Sequence, residues 1–105
     1  MAASGAATIG FDARGELRDP VYHRTSATRA DGPALSLLIV NISPSGLMAR
    51  SIDAPEPGTL LSFTLPVIGQ IGAEVRWSLG GRLGCQLART IPPPLYYEML
   101  AGLSR

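Results

Sequence analysis

From Leu35 to Ile42 the chain is almost continuously apolar, the pattern of a strand covered at least in part on both faces. Pro44 and Gly46 break this run, and Leu47 to Ile52 resumes it as a second strand. Beyond the turn-forming stretch Asp53 to Gly58, the segment Thr59 to Leu65 places Leu61, Phe63 and Leu65 on one face. Gly69 marks the next turn. Ile71, Ala73, Val75 and Trp77 then alternate with Gly72, Glu74, Arg76 and Ser78, which predicts a half-buried antiparallel strand with Trp77 in core phase or on the surface where a helix docks. Gly80-Gly81 is a hairpin signal, and its return strand sets Leu83, Cys85 and Leu87 on a common face. Upstream, Val21 to Ala30 reads as a partly exposed strand ended by the turn Asp31-Gly32-Pro33.

After Pro92-Pro93-Pro94, the spacing of Leu95, Met99 and Leu103, with Tyr96 and Leu100, fits a short amphipathic helix over 93–103. So short a helix must dock on apolar surface to persist. Of Tyr96 and Tyr97, one is expected to pack inward and the other to face solvent or a partner. Six short strands and a terminal helix predict an all-β fold, a small six-stranded antiparallel β-barrel with a short C-terminal α-helix. Closure would remove the edges that short strands otherwise expose. Residues 1–10 are Ala/Ser/Gly-rich and read as a flexible tail. Residues 11–105 read as the barrel domain, with 11–20 a charged segment that leads into it.

Composition narrows the function classes. The chain has 105 residues, 46% hydrophobic and 16% charged, which fits one small folded domain and excludes wholesale disorder. One cysteine rules out an internal disulfide framework, and with one histidine a protein-only zinc site is disfavoured. No secretory leader or stretch long enough to span a bilayer is evident, so the expected setting is cytoplasmic without membrane insertion. A net charge of +1 argues against DNA or RNA as a partner. All nine basic residues are arginine.

Two features carry candidate chemistry. In the turn Asn41-Ile42-Ser43-Pro44-Ser45-Gly46, Asn41 offers an amide donor and acceptor at a strand end, Ser43 and Ser45 offer hydroxyls, and Gly46 permits close approach or a positive φ. The local alternative is an Asx- or ST-turn that satisfies only its own backbone. Upstream, Arg14 and Arg18 stand four apart and can direct planar, multi-donor cations at phosphate or stack on bases; pairing with Glu16 and Asp19 is the bland alternative. Together the halves suggest a site for an anionic guanine nucleotide. Arg24 is a possible additional ligand contact. His23 reads as a structural or surface residue, and Cys85 as a buried small hydrophobe. No base is placed to make a serine a nucleophile, and no cofactor is called for.

The pattern Arg14-Gly-Glu-Leu-Arg18 followed by Asn41-Ile-Ser43-Pro-Ser-Gly46 resembles the arginine-x-x-x-arginine and Asp/Asn-x-Ser-x-x-Gly motifs of PilZ domains. The likeness extends through Pro57-Gly58, the Glu74-Val75-Arg76-Trp77 strand and Gly84-Cys85-Gln86-Leu87, covering nearly all of 11–103. Asn41 at the first turn position and Leu87, where an aromatic is frequent, are variations. The resemblance implies a six-stranded barrel that binds the bacterial second messenger cyclic di-GMP. It implies that Arg14 and Arg18, on a segment folding over the ligand, contact phosphate and guanine, and that Asn41 and Ser43 recognise guanine, with Gly46 keeping the turn tight. On this expectation the arginine segment is mobile until ligand orders it, and the changed surface is read by a downstream effector protein whose identity the sequence does not give. The competing expectation is an interaction barrel of the same fold with weak or no nucleotide binding, its arginines held by Glu16 and Asp19 or turned away from Asn41.

Overall fold

The computed structural model describes residues 16–30, 32–53 and 55–103. The expected tail 1–10 and the first half of the segment 11–20, Arg14 included, lie outside the described residues. Six strands, β1 (Asp19–Arg29), β2 (Leu35–Ser43), β3 (Gly46–Arg50), β4 (Leu60–Leu65), β5 (Gly69–Leu79) and β6 (Arg82–Leu87), precede the helix α1 (Pro93–Leu103). All strand pairs are antiparallel, and the order β1-β2-β3-β6-β5-β4 closes into a barrel. The fold is thus the six-stranded antiparallel barrel with a short C-terminal helix that the apolar periodicity predicts.

Alternation along the strands explains the core. Leu35, Leu37 and Ile39 of β2, Leu61, Phe63 and Leu65 of β4, and Leu83, Cys85 and Leu87 of β6 all point inward and are buried. Each fully buried Leu or Ile contributes roughly 1.5–3 kcal/mol, which matters in a domain with so little interior. The outward residues Leu38 and Val40 are only half-buried, in keeping with the apolar run of β2.

Turn chemistry sets the registers. Ser43 pairs with Gly46 around Pro44-Ser45, and Leu79 pairs with Arg82 around Gly80-Gly81. Gly80 and Gly81 have φ of 62° and 81°, the left-handed pair that a two-residue hairpin demands. Between β4 and β5, Val67 holds a φ of 69°, an unusual conformation for a β-branched residue.

Helix α1 lies against the barrel end formed by the β2–β3 and β4–β5 turns. The Ile91 amide donates to the Pro44 carbonyl, and Gly102 packs so closely on Pro66 that a Cβ there would stand 2.9 Å from the proline Cβ. Tyr96, Met99 and Leu103 are buried and Tyr97 faces solvent, dividing the tyrosines as their spacing predicts. Leu95 differs from the helical pattern: on the first turn it stays 40% exposed. No helix among the described residues is long and apolar enough to cross a membrane.

Trp77 requires a correction. Strict alternation would bury it beside Val75, yet it is 40% exposed. The register between β5 and β6 shifts between Val75 and Trp77, so the phase of β5 changes there and the indole emerges on the outer wall. Similar irregularities fall between Pro20 and His23 in β1 and between Ile39 and Asn41 in β2.

Candidate functional site

Bulges re-aim side chains, and the irregularity in β2 sets Val40 and Asn41 outward side by side, between the buried Ile39 and Ile42. Asn41 is therefore half-buried on the outer wall, one residue short of the β2–β3 turn region. Its amide oxygen accepts a hydrogen bond of 3.0 Å from Arg18 Nη1, and its amide nitrogen donates to Met48 Sδ at 3.7 Å. The charged donor is much the stronger of the two and orients the amide. The arginine segment and the turn thus meet through the two residues that the sequence singles out.

The acids beside Arg18 have partners on the barrel. Glu16 accepts from both the Ser45 amide (3.2 Å) and the Ser45 hydroxyl (2.5 Å) through one carboxylate oxygen. Asp19 receives the Tyr96 hydroxyl at 2.5 Å, and the same hydroxyl lies 2.9 Å from the Ile42 carbonyl. Burial first, then the Asp19 bond and charge, pushes the Tyr96 phenol well above its ordinary value. These bonds tie Glu16, Arg18 and Asp19 to the barrel, so a ligand must compete with Asn41 for Arg18.

The turn residues divide into different roles. Ser43 is fully buried and donates to the Gly46 carbonyl at 3.3 Å, so the local turn reading holds for its hydroxyl. Gly46 does not have a positive φ; its missing Cβ is required because that atom would stand 2.9 Å from the Cys85 carbonyl oxygen on β6. Arg18 Nη2 would lie 3.7 Å from the same point, an ordinary contact, so it is β6 and not the guanidinium that excludes a side chain there. Arg24 is exposed and pairs with Leu38, farther along the wall from Asn41, and His23 is half-buried opposite Ile39. Cys85 faces the core, where burial pushes its thiol up to about 12 and keeps it protonated.

Strand pairing aligns Pro20, Asn41, Met48, Gly84 and Trp77 in one row across β1, β2, β3, β6 and β5. A Cβ on Gly84 would stand 2.1 Å from Trp77 Nε1, so the indole lies directly over this glycine. The row presents an amide, a thioether and an aromatic face in succession, with the Arg18 guanidinium bonded to the amide from beside it. Sequence reasoning missed three contributors, Glu16, Tyr96 and Trp77. The legible signal was Gly84, a glycine inside a strand, which marks a place where another group approaches closely. Among the described residues no cluster of three or more potential metal ligands forms. No protein-family model matches the chain, and no curated protein matches it.

Proposed function

We infer that this barrel is a non-catalytic receptor domain for cyclic di-GMP, of the PilZ kind, acting in the bacterial cytoplasm. The observation that carries the reading is the 3.0 Å bond from Arg18 to Asn41, which joins one residue of the arginine motif to the first of the turn motif, both half-buried on the outer wall. The Arg18 guanidinium can exchange this neutral amide for a phosphate, a stronger charge-assisted partner. Freed of Arg18, the Asn41 amide can turn to the edge of a guanine. The Trp77 indole in the same row supplies a face for base stacking, worth about 1–3 kcal/mol per base.

Ser43, Ser45 and Gly46 support the site by shaping the turn, and Arg14 would complete the phosphate contacts from outside the described residues. Arg24 would reach the ligand only at its far edge. Ser45 makes a poor nucleophile despite its carboxylate partner, because the Glu16 oxygen is also held by the Ser45 amide and carboxylates are weak bases at neutral pH. The output is a change in the surface around Arg18, read by an effector protein.

Calorimetric titration of cyclic di-GMP into the full chain, with Arg18→Ala as control, tests the reading. Micromolar or tighter binding that is lost in a folded Arg18→Ala variant supports it. Absence of binding to the wild-type chain removes it and favours the interaction barrel, for which the already satisfied hydroxyls of Ser43 and Ser45 are the supporting observation.

A further inference from the structure

A second row of outward residues crosses the same wall nearer the β5–β6 hairpin. Arg24 pairs with Leu38, Leu38 with Arg50, Arg50 with Arg82, and Arg82 with Leu79. Three arginines and two leucines therefore stand in line across five strands. With strands about 4.8 Å apart, Arg24 and Arg82 are separated by about 14 Å at the backbone. All three arginines are exposed, and Leu79 is 78% exposed.

Arg24, Leu38 and Arg50 of this row line a groove of about 630 Å³ together with Ser51 and the Gly80-Gly81 turn, and Arg82 and Leu79 stand just beside it as the next cross-strand partners. Three observations mark it as more than solvated surface. Arg50 and Arg82 are direct cross-strand partners, and like charges so placed repel each other unless an anion lies between or above them. The Ser51 hydroxyl is buried in the groove wall and, among the described residues, has no hydrogen-bond partner. Ile52 on the rim is fully exposed. Asp53 is the one acid among the described lining residues.

We propose that this groove docks an acidic, partly aliphatic peptide segment of a partner protein. Its carboxylates would bridge Arg24, Arg50 and Arg82, and its aliphatic side chains would cover Leu38, Leu79 and Ile52. Arginine is suited to this task because its planar fork grips carboxylates bidentately. A small dianion fits less well, because the cations are strung in a line rather than converging. A nucleic acid strand fits less well too, because none of the lining residues is an aromatic for bases to stack on. The cross-strand neighbours Met48 and Gly84 lie two residues along β3 and β6 from Arg50 and Arg82. A docked segment would thus run beside the candidate nucleotide row, although the proposal does not depend on nucleotide binding.

The test is fluorescence anisotropy with a short labelled peptide of mixed glutamate and leucine, against its glutamine-for-glutamate twin and a labelled oligothymidylate. Three forms of the 105-residue chain are compared: wild type, Arg50→Gln/Arg82→Gln, and Arg76→Gln/Arg89→Gln, which removes the same charge elsewhere. Removing opposed like charges should leave the melting temperature unchanged or raise it, so loss of fold does not confuse the result. The glutamate peptide should bind wild type and the Arg76/Arg89 variant alike, and bind the Arg50/Arg82 variant at least about tenfold more weakly. Its glutamine twin should not bind. Absence of peptide binding to wild type, equal loss in both variants, or equally tight oligothymidylate would overturn the proposal. So would a fall in cyclic di-GMP affinity in Arg50→Gln/Arg82→Gln as large as that in Arg18→Ala, which would assign the row to the nucleotide site.

Discussion

Tyr96 meets Asp19 through a 2.5 Å hydrogen bond that joins the terminal helix to the first residue of the first strand. The same hydroxyl reaches the Ile42 carbonyl. Asp19 follows Arg18 and Ile42 follows Asn41, so one phenol is tied to the chain neighbours of both halves of the candidate site. Tyr96→Phe removes the one phenol proton that the Asp19 carboxylate and the Ile42 carbonyl share. It should cost about 1.5–3 kcal/mol in urea denaturation, because one acceptor is charged. Cyclic di-GMP affinity should fall with it. A variant with wild-type stability would show that the hydroxyl is not a structural tie.

Gly46→Ala tests the close approach of β3 to β6. The new methyl would press on the Cys85 carbonyl, a backbone atom that cannot swing aside. The expected loss is about 1–3 kcal/mol in thermal or chemical unfolding, as for other overpacked sites. Ligand affinity should drop as the turn shifts under Arg18.

Trp77 is the sole tryptophan, so its fluorescence reports on one place. Cyclic di-GMP should quench it if a base stacks there. Gly84→Ala puts a methyl where the indole lies and should shift the emission to the red as the ring is expelled into water. Trp77→Ala should stay folded and bind the nucleotide more weakly by about 1–3 kcal/mol. Unchanged affinity would remove the stacking role.

Alkali should unfold the domain in a defined order. Cys85 and Tyr96 both hold their protons more tightly in the folded chain, so each adds stability that is complete below its unfolded value and lost above it. Loss should begin near pH 9.0 for the thiol, continuing toward about 12, and near 10.0 for the phenol. Cys85→Ala should delay the onset toward the phenol's range, as read by chemical denaturation across pH. The wild-type thiol should resist alkylation until the barrel unfolds.

Val67→Gly should stabilise the fold. The side chain is 54% exposed and its backbone is left-handed, so glycine relieves strain while losing little burial. A gain of about 1 kcal/mol is expected after the entropic cost of glycine, measured by the shift in denaturation midpoint.

The barrel was legible because its strands are short, regular and separated by Pro and Gly turns. Periodicity located the inward faces at Leu61, Phe63 and Leu65 and the return strand through Cys85. It failed at Trp77, where a register shift breaks the alternation, since an extra residue in a ladder leaves no mark on composition. Residue chemistry singled out Arg18 and Asn41 as halves of one site, but not the direct bond between them. The grip on each flanking acid was not legible either: Glu16 finds Ser45, and Asp19 finds Tyr96, across separations of 29 and 77 residues that no local pattern encodes. Gly46 was read as permitting close ligand approach or a positive φ, whereas the neighbouring strand is what excludes its Cβ.

The ring of strands is not equally fastened all the way round. Of the described ladders, β1–β4 is the shortest, joining only Thr28 to Ser62 and Arg29 to Leu61, whereas β1–β2 runs from Asp19 to Ala27. The leading half of β1, which follows directly on Arg18, therefore hangs from a single neighbouring strand and from the Tyr96 tie. Amide exchange should begin there, and the seam between β1 and β4 should be the place where the cylinder first gapes. A ligand that grips Arg18 would then act on the loosest stave, where a small force produces the largest change of shape.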